Sequence, residues 1–465
     1  MHAKQVRNII VIGCGLHFKI RHYVALTNSP FAAEMKIHLV VDLKSEEEKI
    51  KTFFMDKELK PDHYLFLTEE NRNKVDIESF HQQVCQLVNL KKIDGILVCT
   101  EPKVHKPYIL WGIRNNFNIF SDKPLTAFAS IIEKNQLYQD YQDIKTALQD
   151  KDLNFVLCCD RRGHLGYQYL RDYVSEIIQT YRVPITYMGI HYGDGVWNMP
   201  DEYFSRENHP HKYGYGVLLH SGYHYIDLLM SFMSLNRQLY PFSMTETEVF
   251  TLLTSPNLFL KTIPNEVYQK QLGTNRFAHY FQNEMIEKMQ TMGETDAMVM
   301  GRFNYQNQII SNFSLNLLEA TATQRSTDQL PENLYLMNGR MHLENVIIHM
   351  GPLCSIEVNI NHFIKQEQAD GLEDFSVTIM RNAEILKASA LTRLNRKNFS
   401  YIYPDLKEQD SMNVKSRAWQ LLEFLQGRKG NSAFSSHHDS VFLLDAIFKG
   451  VIPHPTFKKI TAEVY

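Results

Sequence analysis

A glycine pair directly after an apolar run constrains the fold of this chain more than any other feature of the sequence. The run spans Asn8–Ile12, and Gly13 and Gly15 follow it at once. A second apolar run, residues 36–41, ends at Asp42. A strand, a glycine-rich turn, a helix and a second strand form a βαβ unit, in which the two strands lie parallel. The start of the chain therefore predicts a parallel sheet.

The alternation of strand and helix patterns continues through the first third of the chain. Strand-like apolar runs cover residues 95–99, 118–120 and 155–159, and residues 105–115 have apolar side chains at helical spacing. Strands that alternate with helices predict a parallel sheet with helices on its faces. We therefore expect an α/β protein whose residues 1–155 form a Rossmann domain that binds a dinucleotide.

The second part of the chain has longer strand patterns. Four runs are predicted strands: residues 297–305, 308–317, 340–350 and 355–360. Because they follow one another closely, they predict antiparallel pairing. We expect residues 156–465 to form a substrate-binding α/β domain with a large, open, mostly antiparallel sheet. Helices predicted over residues 417–426 and 439–448 are expected to pack back on the first domain. The stretches 236–290 and 327–408 are harder to assign as a whole and are expected to elaborate the substrate domain.

Charge and composition exclude several classes of partner. The formal net charge is −3, from 49 basic and 52 acidic residues. This balance creates no broad positive field, so we expect no nucleic-acid partner. The apolar run at residues 9–12 is too short for a signal peptide or a membrane span, and the six cysteines include no CxxC pair. We expect a cytoplasmic protein with a small-molecule substrate and no membrane partner.

The glycine turn has the residues needed to bind a pyrophosphate. Backbone amides can approach phosphate oxygens closely at Gly13 and Gly15, and Leu16 and His17 are expected to lie beside them. The third glycine of the dinucleotide fingerprint is absent, because Phe18 occupies its position. A tight turn without a ligand and the glycine turn of a methyltransferase remain alternatives for this motif taken alone.

Asp42 is expected to select the dinucleotide. A carboxylate at the end of the second strand accepts hydrogen bonds from the adenosine ribose hydroxyls, which favours NAD as the cofactor. Lys44 and Ser45 follow closely enough to contact a 2'-phosphate, so NADP remains possible.

Two loops follow strands at the predicted carboxyl edge of the first sheet. They contribute Thr100, Glu101, Pro102 and His105, and then Asp122 and Lys123. Ligands of open α/β sheets bind at this edge, so these residues are candidate cofactor contacts. The structural alternative is that the prolines only end the strands and that Lys123 is a solvated charge.

Three titratable residues share one face of a predicted helix. His220, His224 and Asp227 are spaced i, i+4 and i+7. Oxidation of an alcohol needs a base for the hydroxyl proton, a role that suits a histidine titrating near neutrality. Two histidines four residues apart also suit zinc, as in a metal-dependent hydrolase, but the glutamate of an HExxH motif is missing and we expect no metal. The structural alternative is that the two histidines only occupy the start of a helix, without a functional role, and that Asp227 caps the helix or pairs locally.

Together these motifs resemble the glucose-fructose oxidoreductase and inositol dehydrogenase family, often written Gfo/Idh/MocA. The resemblance extends, with gaps, from Asn8 to about Phe232, and Asp122 replaces the glutamate of the family's Glu-Lys-Pro. It implies a Rossmann domain followed by a domain with a large open sheet. It also implies hydride transfer between NAD(P) and a sugar, cyclitol or sugar derivative, with Lys123 reaching the substrate hydroxyl. A homo-oligomer is expected on the same ground.

The family pattern around its histidine is Asp-x-Gly-x-His-x-x-Asp. Gly222, His224 and Asp227 match it, whereas His220 replaces the first Asp. The resemblance implies that Lys123, His224 and His220 form the catalytic set. A neutral imidazole cannot supply the negative charge of that Asp. A non-catalytic dinucleotide-binding regulatory or assembly protein on the same scaffold is therefore the alternative function.

Four residues are predicted to contact the substrate: Arg161, Tyr192, Trp197 and Asp227. Arg161 follows the predicted strand at 155–159, where the family often has an arginine near the domain junction. Tyr192 and Trp197 lie in a cluster with Asp194, and such clusters bind sugars through aromatic faces and carboxylates. A purely structural salt bridge is the alternative for Arg161.

Overall fold

Two β-sheets organise the chain. The computed structural model describes residues 5–128, 136–207, 209–329, 340–363, 372–399 and 411–450. Within these ranges a six-stranded sheet comes first in the sequence and an eight-stranded sheet follows it.

The first sheet is parallel throughout. Its strands are β1 (Asn8–Ile12), β2 (Lys36–Leu43), β3 (Pro61–Leu67), β4 (Gly95–Val98), β5 (Asn118–Asp122) and β6 (Phe155–Cys158). They lie in the order β3-β2-β1-β4-β5-β6. This is the order of a doubly wound Rossmann sheet, so the predicted fold of the first domain is confirmed. Since β6 pairs with β5, the proposed boundary after residue 155 falls inside β6.

Apolar layers cover both faces of the first sheet. The helices that follow its strands are α1 (Tyr23–Thr27), α2 (Glu47–Met55), α3 (Ile77–Leu87), α4 (His105–Arg114) and α5 (Leu137–Ala147). Successive residues of β1 point to opposite faces, so Ile10 and Ile12 pack in one apolar cluster whereas Ile9 and Val11 pack in another. Burial on both sides explains why β1 is apolar at four consecutive positions, Ile9–Ile12, rather than at alternate ones.

The second sheet is mixed but mostly antiparallel. Its strands are β7 (Tyr187–Gly193), β8 (Glu248–Thr254), β9 (Asp296–Tyr305), β10 (Gln308–Leu318), β11 (His342–Met350), β12 (Cys354–Phe363), β13 (Leu372–Arg381) and β14 (Leu391–Asn395). The order is β14-β13-β12-β11-β7-β10-β9-β8, and the parallel pair within it is β7 with β10. The expected large, mostly antiparallel sheet is therefore confirmed.

The remaining helices cover the second sheet and connect it to the first. They are α6 (Asp160–Gly163), α7 (Leu165–Tyr181), α8 (Glu202–Ser205), α9 (Tyr223–Met233), α10 (Pro256–Thr262), α11 (Asn265–Leu272), α12 (Asn283–Met289), α13 (Ala383–Leu386), α14 (Met412–Leu425) and α15 (His438–Lys449). α14 packs on the first sheet, since Leu421 and Phe424 belong to the apolar cluster that contains Val11. α15 lies against α5 and α9.

Part of the stretch without a clear sequence pattern forms a small helical layer. Side chains from α8, α10, α11 and α12 pack into a third apolar cluster that includes Tyr203, Leu260, Tyr268 and Met289. The stretch 327–408 lies partly outside the described residues. Among the helices that the structure describes, none combines the length and the apolar character needed to cross a bilayer.

Candidate active site

A cleft of about 780 Å³ lies between the first sheet and the second domain. Most of the predicted site residues line it: Gly13, Gly15, Leu16, His17, Asp42, Thr100, Glu101, Pro102, Asp122, Lys123, Arg161, Tyr192, His220 and His224. Those from the first domain lie at or just after the carboxyl ends of β1, β2, β4 and β5, the edge at which open α/β sheets bind ligands. Chain topology therefore brings distant motifs to one place.

The glycine turn has the shape of a cradle for a phosphate group. Gly13 has φ +91°, and a Cβ there would lie 2.6 Å from the carbonyl carbon of Cys99, so both conformation and space require glycine. Gly15 is different, because a Cβ added to it would meet nothing within 4 Å. A side chain at Gly15 would fill open space at the cleft wall. The turn therefore fits the close approach of a pyrophosphate.

The helix after this turn starts irregularly. Residues 18–22 form a π turn before α1 begins at Tyr23. Phe18, at the position of the third fingerprint glycine, is fully buried in the apolar cluster of that face. The dinucleotide fingerprint has a closely packed glycine at this position. The wide π turn makes room for the bulkier phenylalanine, which explains the variant turn that the sequence predicts.

Asp42 lies beside the glycine turn. Its carboxylate accepts hydrogen bonds from the backbone amide of Cys14 at 2.6 Å and from that of Leu43 at 2.7 Å. Burial raises the pKa of Asp42, although both hydrogen bonds oppose the increase. Lys44 forms an ion pair with Glu47, and the backbone amide of Ser45 donates to Glu69 at 3.2 Å. Neither Lys44 nor Ser45 is among the residues that line the cleft.

Lys123 connects the two domains across the cleft. It follows β5, and its Nζ donates a hydrogen bond to the backbone carbonyl of His220. Burial lowers the pKa of Lys123 to about 8, and the nearby charge of Arg417 adds to the decrease. The ammonium group is therefore mostly charged at neutral pH yet easily deprotonated above it.

His224 is oriented by a carboxylate. Its Nδ1 lies 3.0 Å from Oδ1 of Asp160, in α6. Burial favours the neutral acid at Asp160, but His224 and two arginines, Arg161 and Arg417, outweigh it and hold the pKa of Asp160 well below its usual range. An ionised carboxylate only accepts hydrogen bonds, so Nδ1 of His224 carries the proton and Nε2 keeps its lone pair.

Burial also determines the charge state of His224. It lowers the pKa of His224 to about 4, although the charge of Asp160 opposes the decrease. At neutral pH the imidazole is therefore uncharged and able to accept a proton.

His220 lies in a π turn, residues 218–222, directly before α9. Its Nδ1 is 3.4 Å from Oδ2 of Asp194, and its ring centroid is 3.6 Å from that of His209. Burial lowers the pKa of His220 well below its usual value, and the charges of His209 and Arg340 lower it further. The structure thus places His220 and His224 in the lining of the same cleft.

Asp194 organises the wall opposite Lys123. Its carboxylate accepts hydrogen bonds from the Tyr192 hydroxyl at 2.6 Å, from Arg340 at 2.7 Å and from Ser221 at 3.0 Å. Sequence reasoning did not single out Arg340, which lies 146 residues from Asp194 along the chain. The antiparallel pairing of β7 and β11 is what brings these regions together.

Three predicted site residues, His105, Trp197 and Asp227, lie outside the cleft lining. Asp227 is fully buried and accepts from Arg162 at 2.7 and 2.6 Å, one helical turn beyond His224. Trp197 packs on Tyr268, with 5.7 Å between ring centroids. The ring nitrogens of His105 lie 3.2 and 2.9 Å from the backbone carbonyls of Pro124 and Thr100, so this side chain holds the two cofactor-edge loops together.

Arg161 lines the cleft but is also part of the protein core. Its guanidinium donates to the Tyr225 hydroxyl at 2.6 Å and pairs with the buried carboxylate of Glu344. The salt bridge that sequence analysis left open is therefore present.

A histidine and carboxylate group lies at the cofactor edge. His17, His22 and Asp122 place one ligand atom each within 4.8 Å of one another. Nε2 of His22 is 2.8 Å from Oδ1 of Asp122. This hydrogen bond joins the π turn to the loop of Lys123 and gives the group a structural role.

The sequence of residues 7–157 matches the family described as oxidoreductase family, NAD-binding Rossmann fold, or GFO_IDH_MocA. A comparison with curated proteins gave no match.

Solved structures show the same fold over 96% of the chain at low identity. An Agrobacterium radiobacter oxidoreductase, in complex with NAD+, L-tartaric acid and magnesium, is 11% identical over 96% of its own length, with a TM-score of 0.54. The 3-ketoreductase KijD10 from Actinomadura kijaniata, in complex with NADP and TDP-benzene, is 12% identical over 98% of its length, also at 0.54. The aldose-aldose oxidoreductase of Caulobacter crescentus is 9% identical over 97% of its length, at 0.54. The resemblance seen in the motifs is confirmed by the family model over residues 7–157, and the six-stranded sheet of this region has the Rossmann order that the description of the family names.

Proposed function

We propose that the protein is an NAD(P)-dependent oxidoreductase acting on a sugar, cyclitol or sugar-derived substrate. In this proposal hydride passes between the nicotinamide and a CH–OH group or the corresponding carbonyl. The observation that carries it is the convergence of Lys123 and His224 in the cleft that also contains the Gly13 to Gly15 turn. A dinucleotide bound at the turn and a substrate bound at the two side chains would share one enclosed space.

The cofactor end of the cleft suits a dinucleotide. The open space at Gly15 would admit the pyrophosphate, and Asp42 would accept hydrogen bonds from the ribose. When bound, the nicotinamide supplies the hydride chemistry. NAD is favoured over NADP because the carboxylate of Asp42, which lines this end of the cleft, would accept hydrogen bonds from ribose hydroxyls and repel a 2'-phosphate.

Lys123 and His224 have complementary protonation states. In the oxidation direction, neutral His224 takes the hydroxyl proton on Nε2 while Asp160 holds Nδ1. Lys123, charged at neutral pH, donates a hydrogen bond to the oxygen as negative charge develops there. In the reduction direction the same proton returns from His224 to the carbonyl oxygen.

A regulatory or assembly protein that binds the dinucleotide without turnover is the second candidate. The observation that favours it is the hydrogen bond from Lys123 to the backbone carbonyl of His220. In such a protein this bond would lock the cleft and keep Lys123 from a substrate.

Turnover measurements separate the two candidates. Purified protein would be mixed with NAD+ or NADP+ and a panel of sugars, cyclitols and sugar acids, and formation of the reduced nicotinamide would be followed by absorbance. We expect turnover with at least one panel member, and loss of about two orders of magnitude in Lys123→Met. Lys92→Met, at an exposed lysine outside the cleft, is the matched control. Dinucleotide binding without turnover on any panel member would favour the regulatory function instead.

A further inference from the structure

The substrate end of the cleft has a concentration of positive charge. We call Lys123, Arg206 and Arg340, together with His209 and His220, the cationic corner. All five side chains line the cleft. They come from separate parts of the chain: the loop after β5, the loop after α8, the residues before β11 and the π turn before α9.

The members of the corner are close to one another. Lys123 donates to the backbone carbonyl of His220, whose ring centroid lies 3.6 Å from that of His209 with the two ring planes tilted by 35°. Arg340 and His220 both approach the carboxylate of Asp194, at 2.7 and 3.4 Å. Lys123, His209 and Arg340 thus lie around His220, and the charge of Arg206 acts on the same imidazole.

Positive charge dominates the corner at neutral pH. Burial lowers the pKa of both His209 and His220 well below the usual value, and the charges of Arg206, Arg340 and Lys123 lower it further. Both imidazoles are therefore neutral. Lys123, Arg206 and Arg340 remain charged, while the carboxylate of Asp194 lies in the corner and those of Asp160 and Glu207 line the cleft beside it. Bringing cations together in a cleft raises the local positive potential, which the walls of low dielectric constant strengthen.

The small helical layer fixes Arg206 in this position. Arg206 directly follows α8, and its guanidinium donates to the side-chain oxygen of Asn198. In α8, Glu202 accepts two hydrogen bonds from buried Arg325, at 2.8 and 2.9 Å. Packing of Tyr203 in the third apolar cluster anchors the same turn. The layer therefore has a function in the cleft, since it delivers a cation to the substrate end.

We propose that the cationic corner binds an anionic substituent of the substrate, a carboxylate or a phosphate close to the carbon that exchanges hydride. This inference rests on the proposed oxidoreductase function and specifies its substrate class. A neutral sugar offers only uncharged acceptors to these side chains, whereas an anion would accept charge-assisted hydrogen bonds from arginine and lysine. Nearness to Lys123 and His220 places the anion beside the reacting carbon.

Binding to the NADH-loaded protein tests the proposal. Matched pairs of probes that differ in charge would be titrated by calorimetry: D-glucuronate against D-glucose, D-galacturonate against D-galactose, and glucose 6-phosphate against glucose. We expect at least one anionic probe to bind about tenfold or more tightly than its neutral partner, and the preference to decrease with salt. The carboxylate and phosphate probes separate the two sources of the anion.

Variants show whether the corner is responsible. Arg206→Gln should weaken binding of the preferred anion about tenfold, whereas Arg206→Lys should retain most of it. Arg302→Gln, at an arginine of β9 outside the cleft, is the matched control. NADH affinity and the melting temperature should not change in any of the three.

Two results would overturn the proposal. The first is equal or tighter binding of the neutral probes than of their anionic partners across the panel, and a panel without any binding counts as the same result. The second is a folded Arg206→Gln variant that binds the preferred anion as tightly as the wild type. Failure of NADH itself to bind would instead remove the oxidoreductase function, so the two failures are distinguishable.

Discussion

The carboxylate of Asp160 lies 3.0 Å from Nδ1 of His224, two residues beyond the last strand of the first sheet. The family pattern has an Asp four residues before this histidine, where the chain has His220. Here the negative charge at the histidine comes from α6 instead. The replacement by His220 therefore leaves His224 with an anionic partner, which supports an active enzyme over a regulatory protein.

The Asp160→Asn variant tests the role of this negative charge without a change in the shape of the site. Asparagine keeps the side-chain size but removes the charge that fixes the proton on Nδ1 of His224. We expect kcat to decrease about a hundredfold with little change in the affinity for NADH. The pKa of His224 should decrease further, because Asp160 raises it in the wild type.

Stability measurements complete that test. Asp160 also pairs with Arg417 at 2.7 Å, so the substitution should cost about 3 kcal/mol of unfolding free energy by leaving buried cations less compensated. Asp152→Asn, at an exposed carboxylate, is the control for a simple change of net charge. An Asp160→Asn enzyme with wild-type kcat would show that the carboxylate does not position His224.

The pH profile of kcat/KM, which reports the titrating groups of the free enzyme, should be bell-shaped. His224 must be neutral to accept a proton, so activity should increase as the pH rises through about 4. Lys123 must be charged to stabilise the developing alkoxide, so activity should decrease as the pH rises through about 8. Stopped-flow rates over this range would show both limbs. Lys123→Arg should shift the alkaline limb to higher pH. An alkaline limb at the same pH as in the wild type would show that a group other than Lys123 titrates there.

His220→Asp restores the family residue and should not improve this enzyme on anionic substrates. The new carboxylate would lie in the cationic corner and compete with an anionic substrate for Lys123, Arg206 and Arg340. We expect binding of the preferred anionic sugar to weaken about tenfold. His220→Asn, which adds no charge, is the control and should bind almost as well as the wild type. Tighter anion binding by His220→Asp would contradict this account of the corner.

Asp42→Ala should change cofactor selection. The carboxylate disfavours a 2'-phosphate by charge, and its removal should lower the preference for NADH over NADPH about tenfold. Fluorescence titrations of both dinucleotides against wild type and variant measure the ratio. Asp62→Ala, at an exposed acid on β3, controls for the loss of one negative charge. A ratio unchanged in Asp42→Ala would mean that other groups select the cofactor.

The sequence predicted the first domain well because its signals are local. β1 was predicted with the bounds that the structure shows, and β2 and β4 each differ at one end by one or two residues. Burial on both faces makes these strands continuously apolar, which is easy to recognise. β3 was missed, since its half-exposed sequence Pro61–Leu67 includes Asp62 and His63 and resembles a polar loop.

The site was only partly predictable for a related reason. Lys123 and His224 belong to motifs and were found, whereas Arg206 and Arg340 follow no motif and meet through tertiary packing. Asp227 has the spacing of a site residue, but the turn of α9 directs it to Arg162 in the core. Periodicity gives the direction of a side chain on its own helix and says nothing about which neighbour lies there.

The most direct test of the central claim is a fluorescence titration of the wild type and of Gly15→Val with NADH and NADPH. The space at Gly15 admits a side chain without a clash, so the variant should keep the melting temperature of the wild type while its valine fills the phosphate cradle. We predict micromolar binding of at least one dinucleotide by the wild type and a decrease of about a hundredfold or more in Gly15→Val. Absence of binding by the wild type, or equal binding by a folded Gly15→Val, would contradict the account of this cleft as a dinucleotide-dependent active site.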